Sequence, residues 1–237
     1  MEGGHFPIWI LEKYPVPTII PCLTPSFAGV VKHATRGLTA PTKWLASILV
    51  DRGSELGDSE AISDGIAIFQ DFVEAYIHFR EPNLWKAHYN LSNGYAAMAE
   101  HHRKQEKTDE VLFYLRRQRY ELEQVVQNHL DIPERDKPEI FVNYGIALSQ
   151  LQNFEDALEY YEKALEIASD HPVALGCSGQ LKALLARRSC PPNSDLLIQA
   201  RTLLSGAISD PSRLRQIAGP LAEKEYRKEL VWIESQI

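Results

Sequence analysis

The chain has 237 residues, 44% of them hydrophobic and 24% charged, and a formal net charge of −7. That size and apolar fraction suffice for one large domain or two small ones with cores of their own. The acidic balance argues against a general nucleic-acid binder, whose surface must be basic. The three cysteines, Cys22, Cys177 and Cys190, are odd in number and lack C-x-x-C spacing, which points to reduced thiols in a cytoplasmic protein rather than a disulfide framework or zinc site.

Residues 1–41 carry Pro7, Pro15, Pro17, Pro21, Pro25 and Pro41, a density that blocks helix interiors and weakens strands. With Trp9, Ile19, Ile20 and Phe27 the segment is either an arm that packs on something or a loose tail. Its apolar patch Ile8–Leu11 lacks a positive leader and is broken by proline, which argues against a signal peptide. No stretch approaches the roughly 20 apolar residues of a membrane span.

Helical periodicity begins at Ala61. Ile62, Ile66, Phe69, Phe72, Val73 and Tyr76 form one apolar stripe, and Glu81-Pro82-Asn83 stops it, because proline disfavours helix in the residue before it. A second helix opens near Leu84 with KAHYNLSNGYAAMA. The polar run His101–Lys107 is expected to be a loop, and Thr108 or Asp109 to cap a long helix to about Leu130. A connector with Pro133 spans Asp131–Lys137. Two short helices follow, joined by a turn at Gln152-Asn153. Residues 173–188 form another helix, broken by Ser189-Cys190-Pro191-Pro192-Asn193. Ser194 or Asp195 caps a helix through about Ile208, which Asp210-Pro211 ends. Pro220 occupies the first position of a last helix. No segment carries a strand pattern, so the chain is expected to be all-α.

Pro138 and Pro172 lie 34 residues apart, and so do Gly145 and Gly179. Between the prolines, Phe141, Tyr144, Gly145 and Leu148 fall on a first helix, and Ala157, Tyr161 and Ala164 on a second. These residues resemble the diagnostic positions of the tetratricopeptide repeat, TPR, whose period is 34. Ser169 departs from it, where the consensus favours proline. A preceding copy matches at Leu91, Ser92 and Tyr95, but its second helix, VLFYLRRQRYELEQVV, has no small residue for a close contact. A following copy keeps Leu175 and Gly179, then inserts CPPNSD before Ala200, Leu204 and Ala207. Upstream, Ile68, Phe72 and Ala75 fit a lone second helix. The resemblance covers about residues 60–208. It implies a TPR-like α-solenoid, a short right-handed stack of antiparallel helix pairs. Residues 1–41 would be a proline-rich N-terminal arm, 42–219 degenerate repeats and 220–237 a C-terminal capping helix.

Such stacks bind other proteins on a concave wall, so the resemblance implies a non-catalytic protein-protein interaction module without a cofactor. The expected partner is a protein or peptide, with no nucleic acid and no membrane, and the oligomeric state is left open. Register places Lys86, Tyr89, Asn90, Asn93, Asn143, Ile146, Gln150 and Gln180 toward the groove. Side-chain amides both donate and accept hydrogen bonds, which suits an extended peptide backbone. Asn90 and Asn143 also fit a second reading, in which they brace contacts between helices. Family members that hold a chaperone's C-terminal carboxylate use several lysines, an arginine and asparagines. Lys86 is the lone groove cation in this register, which argues against such a clamp.

His101 and His102 do not face one metal site, because adjacent helical residues diverge. Arg116, Arg117 and Arg119, with Arg103 and Lys104, form a basic cluster interrupted by Glu121 and Glu123, and a solvated face is its expected role. No phosphate-binding glycine loop, G-x-S-x-G or cysteine–histidine frame is present. YNLSNGY, the Val142–Gly176 stretch and the final KEYRKELVWIE helix together look like the N-terminal repeat region of bacterial TPR proteins that carry a C-terminal HEPN ribonuclease domain. The arginine–histidine motif of those nucleases is missing here. This second resemblance therefore implies the sensing or scaffolding half of a toxin or defence system, without its catalytic domain.

In the last helix, Tyr226, Leu230, Ile233 and Ile237 supply an inner stripe, and Glu223, Lys224, Arg227, Lys228 and Glu234 a charged outer side. This helix is expected to dock on the one spanning Asp195 to Ile208. Trp232 lies off the stripe and is expected to mark a contact with a further domain or a second copy.

Overall fold

A computed structural model describes residues 40–79, 83–127 and 132–237. Segment 1–39, with Trp9, Ile19, Ile20, Cys22 and Phe27, lies outside them, as do the stop at Glu81-Pro82 and the helix end expected at Leu130. The described residues form ten α-helices and no strand. In chain order they are α1 (Ala40–Leu56), α2 (Ser59–Phe79), α3 (Leu84–Lys104), α4 (Thr108–Gln127), α5 (Lys137–Gln150), α6 (Phe154–Ile167), α7 (Pro172–Arg187), α8 (Ser194–Ala207), α9 (Pro211–Ala218) and α10 (Pro220–Glu234). A 3-10 turn over Glu134–Asp136 precedes α5. Consecutive helices pack in pairs, which makes the fold all-α and TPR-like. The chain divides into two compact units, residues 1–131 and 132–237.

In the first unit α1 packs on α2, α2 on α3, α3 on α4, and α1 also reaches α3. Leu45, Ala46, Leu49 and Val50 of α1 meet Ile62, Ile66, Phe69 and Phe72 of α2 and Leu91, Tyr95 and Met98 of α3 in one core. Helix α1 corrects the sequence reading, which began the helices at Ala61 and left Ile68, Phe72 and Ala75 on an unpaired second helix. Its proline, Pro41, sits in the first turn, where a missing N–H costs nothing. Helix α3 likewise continues through His101–Lys104, where a loop was expected. Those basic side chains suit the negative end of the helix dipole, and Arg103 pairs with Glu100 one turn back.

In the second unit α5 pairs with α6, α7 with α8 and α9 with α10, and α7 also packs on α6. The turn between α5 and α6 falls at Leu151–Asn153, as read from the sequence, with Gln152 at φ 65°. Asn193 caps α8, its side chain accepting from the Leu196 N–H at 3.1 Å, in place of the expected Ser194 or Asp195. Asp210-Pro211 ends one helix but also opens another. The Asp210 carboxylate accepts from the Arg213 N–H at 3.0 Å, and Pro211 takes the first helical turn.

Helix α10 packs against α8, α9 and α7. Tyr226, Leu230 and Ile233 are buried with Leu197, Ala200, Leu204 and Leu214. The outer side is charged, and Glu223 accepts from Arg215 at 2.7 Å and from Arg227 at 2.9 Å. Trp232 is used inside the unit. Its ring lies against this same core, with the Arg187 guanidinium 3.6 Å above the ring centre and held there by Glu229 at 2.8 Å.

The pairs are set by small residues facing large rings. A methyl group on Gly145 would stand 2.5 Å from the buried Tyr161 ring, and one on Gly176 would stand 2.1 Å from the Tyr226 ring. Gly145→Ala is therefore expected to cost about 1–3 kcal/mol through overpacking. That should lower the melting temperature of the second unit by about 4–8 °C per kcal/mol, the range for a domain of roughly 100 residues. Gly206→Ala, whose new carbon would meet Leu175 at 3.4 Å, is the control and should melt unchanged or higher. Equal melting of the two variants in calorimetry would remove the close-approach argument.

Candidate functional site

The helix-A faces, on α3 in the first unit and on α5 and α7 in the second, hold the sequence-derived groove residues. Lys86, Tyr89, Asn90 and Asn93 are on α3, Asn143, Ile146 and Gln150 on α5, and Gln180 on α7. The two sets belong to different units and are described separately.

On α3 the inward face is Trp85, Ala87, His88, Leu91, Ser92, Tyr95, Met98 and Ala99, all buried. This face sets where the other residues point. Lys86 is exposed, its ammonium 5.2 Å from the Trp85 ring centre. Asn93 is exposed and Asn90 half-buried, and neither amide hydrogen-bonds another described residue. Tyr89 is half-buried and already makes a contact within the fold.

A buried histidine–carboxyl hydrogen bond fixes α3 against α4. His88 Nδ1 lies 2.7 Å from Glu121 Oε2, with both side chains 8% exposed. On the same two helices the buried Gln118 Oε1 and Trp85 Nε1 have no hydrogen-bond partner among the described residues. The sequence reading put Glu121 among the charges of a solvated face. The signal that sequence reading missed is the match in type between a histidine inside the apolar stripe of α3 and a carboxylate on the core side of α4. Further along, Gln70 donates to the Tyr95 hydroxyl at 2.9 Å, tying α2 to α3.

In the second unit α5 lies beside α7, so their outward residues share one wall. Gln150 is exposed and Gln180 half-buried, with amides that hydrogen-bond no other described residue. Ile146 leans on Val142, Ala164 and Ala174 together with Phe141 and Val173, so part of its apolar surface is already covered. Asn143 is half-buried and makes a contact within the fold, which favours the bracing reading of that residue over a free groove amide.

Under this wall lies a polar seam. Cys177 Sγ is 3.9 Å from the Tyr226 hydroxyl, and Tyr161 also hydrogen-bonds the thiol. Burial pushes the Cys177 thiol up to about 11, against the two phenol hydrogen bonds that pull it down. Burial raises both phenols above their ordinary value too. Nothing here prepares a nucleophile, since the thiol stays protonated at neutral pH. Among the described residues no group of three His, Cys, Asp or Glu side chains could hold a metal ion, and no described helix is long and apolar enough to cross a membrane. His102 stacks on Tyr114, ring centres 5.3 Å apart, which accounts for one of the two adjacent histidines. Arg119 lies 3.9 Å from Glu123.

Residues 138–171 match the family model of the tetratricopeptide repeat. These are the residues of α5, the turn, α6 and the loop before α7. No curated protein matches the chain.

Two outcomes follow from this geometry. His88→Leu leaves the buried Glu121 carboxyl group without its partner and is expected to destabilise the first unit by about 1–3 kcal/mol. His88→Leu with Glu121→Leu should recover most of that loss, since replacing both partners of a buried polar pair by apolar groups is nearly neutral. Urea unfolding of the three proteins tests it, and equal losses in the single and double variants would refute the pairing. In a Cys22→Ser background at pH 8, a thiol reagent is expected to label the exposed Cys190 quickly. It should label Cys177 only on unfolding, because pH 8 is far below the value of about 11.

Proposed function

We propose that this chain, which carries a tetratricopeptide repeat at residues 138–171, is a non-catalytic module that binds a peptide or partner protein along its helix-A faces. The repeat supports a protein-interaction role in general, and helical-repeat folds of this type are ordinarily non-catalytic. The observation that carries the finer reading is the state of four amides. Asn90 and Asn93 on α3, and Gln150 and Gln180 on α5 and α7, face away from the buried sides of their helices and hydrogen-bond no other described residue. A bound peptide backbone offers each the donor and acceptor it lacks. Lys86 adds one cation to the α3 face. Ile146 contributes a partly covered apolar contact, and Tyr89 and Asn143 hold the faces in place. A reducing, cytoplasmic setting suits the unpaired thiols of Cys177 and Cys190.

The second resemblance, to the sensing half of a HEPN ribonuclease system, has no comparable observation behind it in the helix faces.

The test is affinity purification of the tagged chain from its native cell, comparing wild type with two double variants, Asn90→Ala/Asn93→Ala and Gln150→Ala/Gln180→Ala. All four positions lie at the surface or half-buried, so the variants are expected to melt within about 0.5 kcal/mol of wild type. Loss of the same specific partner from one or both supports the reading. Retention of every partner by both variants would sink it.

A further inference from the structure

Helix α4 turns Leu115, Gln118, Glu121, Leu122 and Val125 inward. Its other side carries a second stripe at helical spacing, Asp109, Leu112, Phe113, Arg116, Arg117 and Tyr120, which lines an open hollow of about 590 Å³. Phe113 is 51% exposed and Tyr120 52% exposed. They stand two turns apart, roughly 10.5 Å along the axis. The Arg117 guanidinium lies 5.5 Å from the centre of the Phe113 ring. Both Arg116 and Arg117 are exposed, and neither is ion-paired with another described residue, whereas neighbouring Arg119 has Glu123.

We infer that this outer face of α4 is a second docking surface, and that its occupant is an acidic peptide segment with an apolar anchor. Carboxylates of the segment pair with Arg116 and Arg117, and the anchor fills the space between Phe113 and Tyr120. Charge decides the occupant's sign. Two unpaired guanidiniums stand side by side on a chain of net charge −7, and a guanidinium fork matches a carboxylate in two parallel hydrogen bonds. The exposed rings decide that an apolar group comes with it. Aromatic residues and arginine together dominate the energetics of protein interfaces, and Arg117 stacked on Phe113 is held partly preorganised. A nucleic acid fits the face less well. It would need a longer basic stripe to neutralise several phosphates, and Asp109 closes this one at its N-terminal end. The face belongs to a second helix of a pair, on the side away from α3, so it is separate from the helix-A faces proposed above.

The experiment uses the full chain and fluorescence anisotropy. The probe is a short labelled peptide with two leucines flanked by glutamates. A lysine-for-glutamate version and a short single-stranded DNA serve as comparisons. The acidic probe is expected to bind, and to bind more weakly as salt rises. Arg116→Glu/Arg117→Glu and, separately, Phe113→Ser should each weaken it by about tenfold or more. Asn93→Ala/Gln150→Ala should leave it unchanged, which separates failure here from failure of the helix-A reading. Thermal melts confirm that each variant is folded, and Tyr120→Ser substitutes for any that is not. The inference is overturned by any of five results. The acidic probe fails to bind, or the lysine probe or the DNA binds as tightly. Charge reversal has no effect, or sedimentation shows this face joining two copies of the chain.

Discussion

Several helix contacts depend on a glycine that lets a large side chain of a neighbouring helix come close to bare backbone. Tyr161 does this over Gly145 and Tyr226 over Gly176. Ile66 over Gly94 and Leu204 over Gly179 repeat the arrangement with aliphatic side chains. Interaxial spacing is set by the bulk at the crossing point, and a buried ring cannot move aside to admit an extra methyl group. Fixing the crossing fixes the rotation of each helix about its own axis. That rotation decides which residues of α3, α5 and α7 are left outside. The binding faces proposed for this chain are by-products of where its glycines fall.

The first unit supplements this rule with electrostatics. Helix α4 carries no small residue at the expected contact, and α3 and α4 instead meet across His88 and Glu121. A buried polar pair of this kind contributes little net stability, because the water each group gives up offsets most of the gain from their hydrogen bond. Its effect is on register, since a one-residue slip of α4 would leave both groups without partners. That register turns Gln118 inward and Arg116, Arg117 and Phe113 outward, so the buried pair and the exposed stripe are two consequences of one helix rotation.

The polar seam at Cys177 has the opposite character. Its members, Tyr161 and Tyr226, are first of all packing residues, and their hydroxyls meet the thiol because the rings had to lie over Gly145 and Gly176. The seam is satisfied internally, and burial raises the thiol's proton affinity against the pull of the two phenol hydrogen bonds, which makes it a structural contact. The surfaces with unspent hydrogen-bonding or ionic capacity lie elsewhere, in amides on the helix-A side and guanidiniums on the outer side of α4.

The amino-acid sequence by itself determined the helical class and the hairpin at residues 138–171. A proline and a glycine recurring at one period, with aromatic residues between, leave few other packings. It also determined most of the apolar stripe of α10, because Tyr226, Leu230 and Ile233 recur at helical spacing whatever they face, but Ile237, expected in the same stripe, lies past the helix end and is exposed. Tertiary structure alone decided the partners. Helix α1 was hidden behind prolines, and a short stripe of Leu45, Ala46, Leu49 and Val50 is weak evidence until α2 and α3 are seen to cover it. Helix α9 was hidden because Asp210-Pro211 signals a stop and a start alike. Register could place Ile146 on the outer side of α5, but not show that neighbouring helices already cover part of it. Trp232 looked outward on a helical wheel and is held inward by Arg187, which lies on another helix. Periodicity reports the face of a helix. What stands opposite that face depends on residues far away in the chain, and no local pattern contains them.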